Sequence, residues 1–517
     1  MDQAMDAAMP PLASTPPRPA LAPQPRWART WLWAPAAIYA GLLALHAPLL
    51  RLPYFWDEAG YFIFAALDVF RRGWLVPHST LANGHPPLLS LYLAGAWTLG
   101  GFHPWVTRAA MLVWQAALVW GVYRLAQTRL PRAAAHSPVA HSPWIPALLI
   151  ALAPLSFAQA TLAQLDLPVA ALIVWALVWR GRGRWALTVV LLCAACLMKE
   201  TAVIAAVALV SVDVWRHRRA ALLWVIPAAV VAAWFLYYRH VTGYWFGNPQ
   251  YFAYNVGEAA RSVPRIGLSL LRRLWQFAGY DGMWLLTGLA LWSLWRQRRR
   301  APMLPPAEWT AVVAAYLIFH SIIGGAVLAR YLLPALALYF VWIGEQLAEL
   351  PRAAWLAAGC AAFLVLGWFW NPPYPFPYED NLAYVQFVEL QQAAAHQLAS
   401  MPLAGPVWTA WPATDELSRP ELGYVTHPVP VRAVPDFSAQ SLAAVPGQPA
   451  ELFIYSREYQ PQLDLAAWLP FWQRWGDRYF RHSPPASEAA WLQHLGLKAS
   501  FSARGGGQWL AIAVPRH

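Results

Sequence analysis

The chain has 517 residues, of which 59% are hydrophobic and only 12% charged, and its mean hydropathy is +0.37. This balance excludes an ordinary soluble globular protein and predicts an α-helical polytopic membrane protein. The formal charge of +12 comes from basic residues scattered between apolar runs, which argues against nucleic-acid binding and for orientation in a bilayer. Cys193 and Cys196 form a C-x-x-C within an apolar run and Cys360 stands apart, so neither a zinc site nor a disulfide framework is predicted.

In chain order, residues 1–28 are rich in Pro and Ala and read as a disordered cytoplasmic tail. A membrane part follows over residues 29–370. A crossing helix needs about 20 apolar residues. By that ruler the runs 31–50, 105–125, 144–160, 167–179, 185–198, 201–215, 221–238, 276–295, 308–328, 331–349 and 354–370 make about eleven spans, the fifth and sixth short.

The first external loop opens with Pro53-Tyr54-Phe55-Trp56-Asp57-Glu58-Ala59-Gly60-Tyr61, which sets two carboxylates at the membrane edge. A helix is predicted over 58–70, with Arg71 and Arg72 in its last turn and Gly73 as its stop. The apolar segment 86–99 is too short to cross, so both read as interfacial helices. That choice places Arg124, Arg129 and Arg132, then Arg180, Arg182 and Arg184, then Arg216, Arg218 and Arg219, then Arg296, Arg298, Arg299 and Arg300, and finally Arg352 on one side. By the positive-inside rule this side is cytoplasmic. The Asp57-Glu58 loop is then external, and so are residues 371–517.

Those last residues begin with a proline-rich stretch and read as a small soluble α/β domain. A helix is predicted over 380–400 and strands over 406–410 and 452–456. A hairpin is predicted from 498–504 and 508–514, around Gly505-Gly506-Gly507.

Several polar groups collect on the external face. They are Asp57 and Glu58, His85 in Asn83-Gly84-His85-Pro86-Pro87, Asp166, Lys199-Glu200 and Arg330-Tyr331. The long loop after the seventh span adds Tyr244, Trp245, Arg261, Arg265, Arg272 and Arg273. Each has a plain structural explanation: carboxylates cap helices, lysine snorkels and aromatic residues anchor at interfaces. Their convergence favours chemistry. External cations can hold a phosphate, a carboxylate can take a proton, and aromatic rings can stack on sugars.

Phe55-Trp56-Asp57-Glu58, His85-Pro86-Pro87-Leu88-Leu89, Lys199-Glu200-Thr201 and Arg330-Tyr331-Leu332-Leu333-Pro334 together resemble motifs of the GT-C membrane glycosyltransferases. The likeness is to their bacterial branch, with the lipid A aminoarabinose transferases and relatives of the protein O-mannosyltransferases, and covers about residues 31–370. It implies a GT-C-like fold and a sugar donor on a polyprenyl-phosphate carrier, used at the outer face of the inner membrane. The acceptor would be a glycan, a lipid A-type molecule or a protein hydroxyl. The chain has no glycine-rich phosphate loop, in keeping with a non-nucleotide donor. By this resemblance Asp57 is the catalytic base of an inverting transfer, with Glu58 beside it. His85, Lys199, Arg330 and Tyr331 hold the donor phosphate. Asp166, Tyr244 and Trp245 are candidate sugar or acceptor contacts. Many relatives have Lys where this chain has His85. A divalent metal could assist, with Asp57, His85 or Asp166 as candidate ligands. The competing reading is a transporter or flippase for lipid-linked sugars, against which stand spans nearly free of charge at their centres.

Overall fold

The computed structural model describes residues 30–130, 142–257, 260–298, 304–461, 468–480 and 485–516. The predicted tail at 1–28, and Arg132, Arg299 and Arg300, lie outside the described residues. Most of the first 366 residues that are described form helices, and five strands follow in the C-terminal part.

The core is set by three helices, two of them apolar on nearly every face. These are Pro104–Arg129, Asp166–Arg180 and Leu333–Ala348, and Asp166–Arg180 and Leu333–Ala348 are buried on nearly every side. An all-apolar helix has no face suited to water, so it goes to the centre of a bundle. Among the described residues, three helices are long and apolar enough to cross a membrane by length and composition: Pro104–Arg129, Arg219–Thr242 and Ala329–Ala348. Trp33–Leu45, Leu88–Gly100, Trp185–Met198, Ala307–Ile322 and Ala353–Leu366 are apolar but shorter.

Two predicted runs are interrupted. The run 144–160 is two helices, Trp144–Leu152 and Pro154–Gln159, because Pro154 opens the second at a position where its missing N–H costs nothing. The run 276–295 begins inside an earlier helix, Val263–Ala278, then turns at Tyr280–Gly282 and continues as Met283–Gln297. The stretch with Arg265, Arg272 and Arg273, read as loop, is therefore the amphipathic helix Val263–Ala278.

The first-loop helix forms as predicted, with one refinement. Glu58–Phe62 is a π-helical turn that runs into the α-helix Ile63–Arg72, and Gly73 ends it at φ 72°. Leu88–Gly100 forms the second short helix.

The arginines predicted to share one side do meet across elements. Arg129 pairs with Glu345 at 2.7 Å, Arg180 with Asp213 at 2.7 Å and Arg216 with Glu308 at 2.5 Å. Arg180 also lies 3.8 Å from Glu308, which ties the second and third of these pairs into one network.

After the helix Ala383–Ser400 comes a sheet of β1 (Val407–Thr409), β2 (Val431–Ala433), β3 (Glu451–Tyr455), β4 (Leu497–Gly505) and β5 (Gln508–Pro515). Its order is β2-β1-β3-β5-β4. β1 runs parallel to β2 and β3, while β5 is antiparallel to both β3 and β4. The predicted hairpin is β4–β5. The sheet region seats directly on the first external loop: Tyr54 N donates to Leu422 O at 3.1 Å, and Tyr424 OH donates to Tyr54 O at 3.1 Å.

Candidate active site

Between the bundle and the sheet region lies a cavity of about 1680 Å³. This exceeds the roughly 300–1,000 Å³ of a pocket for one small molecule. Asp57, His85, Asp166, Lys199, Arg330 and Tyr331 all line it. Val231, Phe235, Phe246, Leu268, Phe319 and Ile323 form an apolar wall on the side of the helices.

Arg330 is the hub. It sits in a short 3-10 turn, Ala329–Leu332, just before the buried helix Leu333–Ala348. Its Nη2 donates to Asp57 Oδ2 at 2.5 Å and its Nη1 to Glu379 Oε2 at 2.5 Å. Nε lies 3.2 Å from Asp166 Oδ2. Asp166 also accepts from Lys199 Nζ at 2.7 Å, and that ammonium lies over the Tyr331 ring, 4.2 Å from its centroid. Tyr331 stacks in turn on His320 at 5.3 Å. Two cations thus face three carboxylates. The phosphate-holding cations read from the sequence are present, but each already has a carboxylate partner.

Asp57 is brought to the hub by a strained backbone. Trp56 has φ 48°, a left-handed conformation that bulky residues seldom adopt and that recurs at functional sites. The π-turn that follows is of a kind also frequent at such sites.

Glu58 points elsewhere. Its carboxylate is fully buried against Arg108, with contacts of 3.2 and 3.3 Å. It also accepts from the backbone N–H groups of Phe55 at 2.9 Å and Ala163 at 2.6 Å. Glu58 is not among the cavity-lining residues, so the catalytic role expected of it gives way to a positioning role. It ties the Asp57 turn to the helix Pro104–Arg129 and to residue 163.

His85 bridges two elements. Its Nδ1 is 2.8 Å from Glu200 Oε2 and its Nε2 is 3.0 Å from the Tyr251 hydroxyl. Burial works against ionisation of Glu200, but His85 and Lys199 hold its carboxyl below the usual range. An ionised carboxylate only accepts, so Nδ1 donates to Glu200. Gly84 permits this arrangement. At φ 83° its Cα faces Gly247, whose N would lie 2.9 Å from any added Cβ.

The expected metal ligands do not converge. Asp57 and Asp166 face Arg330, while His85 faces Glu200 and Tyr251. Among the described residues, no group of three or more His, Cys, Asp or Glu side chains could hold a metal ion.

Tyr244 and Trp245 are exposed and do not line the cavity. Trp245 instead carries Arg239 over its ring at 4.2 Å. The loop's contribution comes from Phe246, Tyr251 and Tyr254. Of the loop arginines, Arg272 lines the cavity, whereas Arg273 is buried and donates to the carbonyls of His320 and Leu328.

Sequence reasoning also missed Glu379 and Asp380 as site residues, reading Asp380 only as the start of a helix. Both are buried and line the cavity. Burial pushes Glu379 up to about 8 despite Arg330, with Asp57 and Asp380 adding repulsion. Burial likewise pushes Asp380 up to about 7, against the pull of the Tyr280 hydroxyl, which donates to it at 2.8 Å. The available signal was a second tandem acid pair one residue after Pro372-Pro373-Tyr374-Pro375-Phe376-Pro377.

Known proteins share this architecture. Residues 85–321 match the model of glycosyltransferase family 87. Two crystal structures of ArnT from Cupriavidus metallidurans match with a TM-score of 0.54 each, one bound to undecaprenyl phosphate and one in the apo state. They are 15% and 16% identical, and the alignments cover 94% of this chain and 98% of that one. The structures show that the chain shares the ArnT fold, and the family model covers a little under half of its length. No curated protein sequence matches it. The family 87 match opens at His85 and takes in Asp166 and Lys199. The fold likeness to ArnT runs well beyond that match, over 94% of the chain.

Proposed function

We propose that the chain moves a sugar from a polyprenyl-phosphate donor to an acceptor hydroxyl, at the outer face of a bacterial inner membrane. The observation that carries this reading is the Asp57–Arg330 contact, set in one cavity with an apolar wall. A lipid-linked donor needs both surfaces: somewhere for isoprenoid carbon and, next to it, cations for phosphate. The ArnT structure with undecaprenyl phosphate shows that a protein of this fold can take such a lipid.

Of the three carboxylates around Arg330, Asp57 is the most accessible. Its side chain is 23% exposed, against 7% for Asp166 and 5% for Glu379. An arriving donor phosphate therefore displaces Asp57 from Nη2 more readily than it displaces the other two. Arg330 and Lys199 then hold the phosphate through charge-assisted hydrogen bonds. Asp57 is released within the same cavity and takes the proton from the acceptor hydroxyl. The acceptor oxygen bonds to the anomeric carbon from the face opposite the phosphate. The bond from that carbon to the phosphate oxygen breaks, its electron pair leaves on the lipid phosphate, and the configuration inverts. Arg330 and Lys199 stabilise the charge that develops there.

In this reading Arg129, Arg180 and Arg216 are cytoplasmic, the cavity is external, and the chain crosses in the multi-span topology drawn from the sequence. Purified protein supplied with a radiolabelled polyprenyl-phosphate sugar and extracted envelope lipids should release labelled product and free lipid phosphate. Movement of intact donor across a vesicle membrane, with no product, would reject the transferase reading for a flippase.

A further inference from the structure

The sheet region contributes more than a cover. β1 and β3 run parallel, and both end at the cavity. The residues just past their carboxyl ends are Trp411 after β1 and Arg457 after β3, and both line it. In α/β sheets, the crevice outside the carboxyl ends of parallel strands is where ligands bind. The first-loop turn supplies the facing surface, with Trp56 and Tyr61. Trp56 and Trp411 meet edge to face, centroids 5.3 Å apart and planes at 72°, and Tyr61 lies 6.2 Å from Trp411. The Arg457 guanidinium lies 5.8 Å from the Trp56 ring centroid. Among the described residues, its buried Nε has no hydrogen-bond partner.

The platform is held in place from beneath. Trp411 rests on Gly60, where an added Cβ would come 2.8 Å from the indole, so only glycine allows this seat. Trp56, whose φ is 48°, brings its ring against the Trp411 indole. Half-buried tryptophans held in this way, with an arginine alongside, present an apolar face and fixed donors at one place. A sugar ring has the matching chemistry: a C–H face for the indoles and hydroxyl groups for the guanidinium. The platform belongs to the sheet region and its covering loop, whereas the apolar wall that suits the isoprenoid belongs to the helices. The sugar ring taken here therefore comes with the acceptor and not with the donor.

Resting on the transferase reading above, we infer that Trp56, Trp411 and Arg457 form the acceptor subsite and that the acceptor is a glycan. Its sugar ring stacks on the tryptophans with one hydroxyl directed toward Asp57.

The test is a steady-state transfer assay on the full chain in detergent. The donor is a radiolabelled polyprenyl-phosphate sugar, and the acceptor is envelope glycolipid extracted from cells lacking this chain. Trp411→Leu and Arg457→Gln should each raise the acceptor KM about tenfold or more, the effect of losing one good anchor, while the donor KM stays within about twofold of wild type. Trp411→Phe, which keeps an aromatic face, should recover most of the acceptor affinity. This third variant also shows that the leucine effect is not a general loss of fold. An unchanged acceptor KM in Trp411→Leu, or a rise in donor KM instead, would overturn the subsite. Wild-type protein that transfers to a protein hydroxyl but not to any glycolipid would overturn the glycan assignment while leaving the transferase reading intact. Wild-type protein that releases no lipid phosphate from the donor would overturn the transferase reading itself.

Discussion

Asp57 and Arg330, separated by 273 positions in the sequence, meet through one hydrogen bond of 2.5 Å between Oδ2 and Nη2. In the proposed transfer each residue has a part, one as base and one as phosphate ligand, and in this structure each occupies the other. Under the proposed function, binding the donor and freeing the base are the same event. The acceptor hydroxyl gains a proton acceptor only when there is something for it to attack.

Arg330 is also a structural residue. Replacing it by Ala leaves Asp57, Asp166 and Glu379 facing one another with only Lys199 nearby, and removing one partner of a buried ion pair typically costs about 3–5 kcal/mol. Arg330→Ala should therefore lower the melting temperature sharply as well as abolish transfer. Arg330→Lys should fold better, yet transfer poorly, because one ammonium cannot reproduce the planar fork. Thermal melts of both variants in detergent check this, and an Arg330→Ala protein as stable as wild type would rule out the hub.

Glu58 should behave differently from its neighbour. Glu58→Gln keeps the shape but leaves Arg108 buried without a countercharge, so the expected loss is stability, on the order of 3–5 kcal/mol. Whatever protein remains folded at low temperature should transfer at a rate near that of wild type. Folded fraction and specific activity, measured on the same preparation, separate the two effects.

Glu379 imposes a pH dependence. Its carboxyl rises from 4.5 in the open chain to about 8 in the fold, so between those values the folded state binds the extra proton. Stability is therefore greatest at the acidic end of that window and falls as pH rises through it. Glu379→Gln should flatten the slope between pH 5 and 8, values set by the approximate limits of the window. Melting temperatures at several pH values give the answer, and an equal slope in both proteins would acquit Glu379.

Much of this fold could be read from residue order because its signals are local. Gly73 ended the first-loop helix where a left-handed stop was expected, and the Gly505–Gly507 run marked the β4–β5 hairpin. The acid pair was legible as a pair, but its division of labour was not. Which carboxylate faces Arg108 and which faces Arg330 follows from the strained Trp56 and the π-turn, and neither has a sequence signature. The pairing of Arg330 with three carboxylates is likewise a tertiary fact, assembled from four distant segments. Tyr244 and Trp245 drew attention as exposed aromatics, yet the loop turns at Gly247 and presents Phe246 and Tyr251 to the cavity instead. At Val431–Ala433 the strand is three residues long, too short for an alternation pattern to show.

The central claim is that Asp57 accepts the acceptor's proton after the donor phosphate has displaced it from Arg330. Asp57→Asn tests both halves in one protein. The amide can still accept from Nη2, and Arg330 keeps Asp166 and Glu379, so the fold should hold. Transfer from a radiolabelled polyprenyl-phosphate sugar should fall by about 10²–10⁴-fold. Donor binding should be as tight as in wild type or tighter, since a neutral amide competes with phosphate for Arg330 less well than a carboxylate does. An Asp57→Asn protein with a wild-type transfer rate would contradict the account.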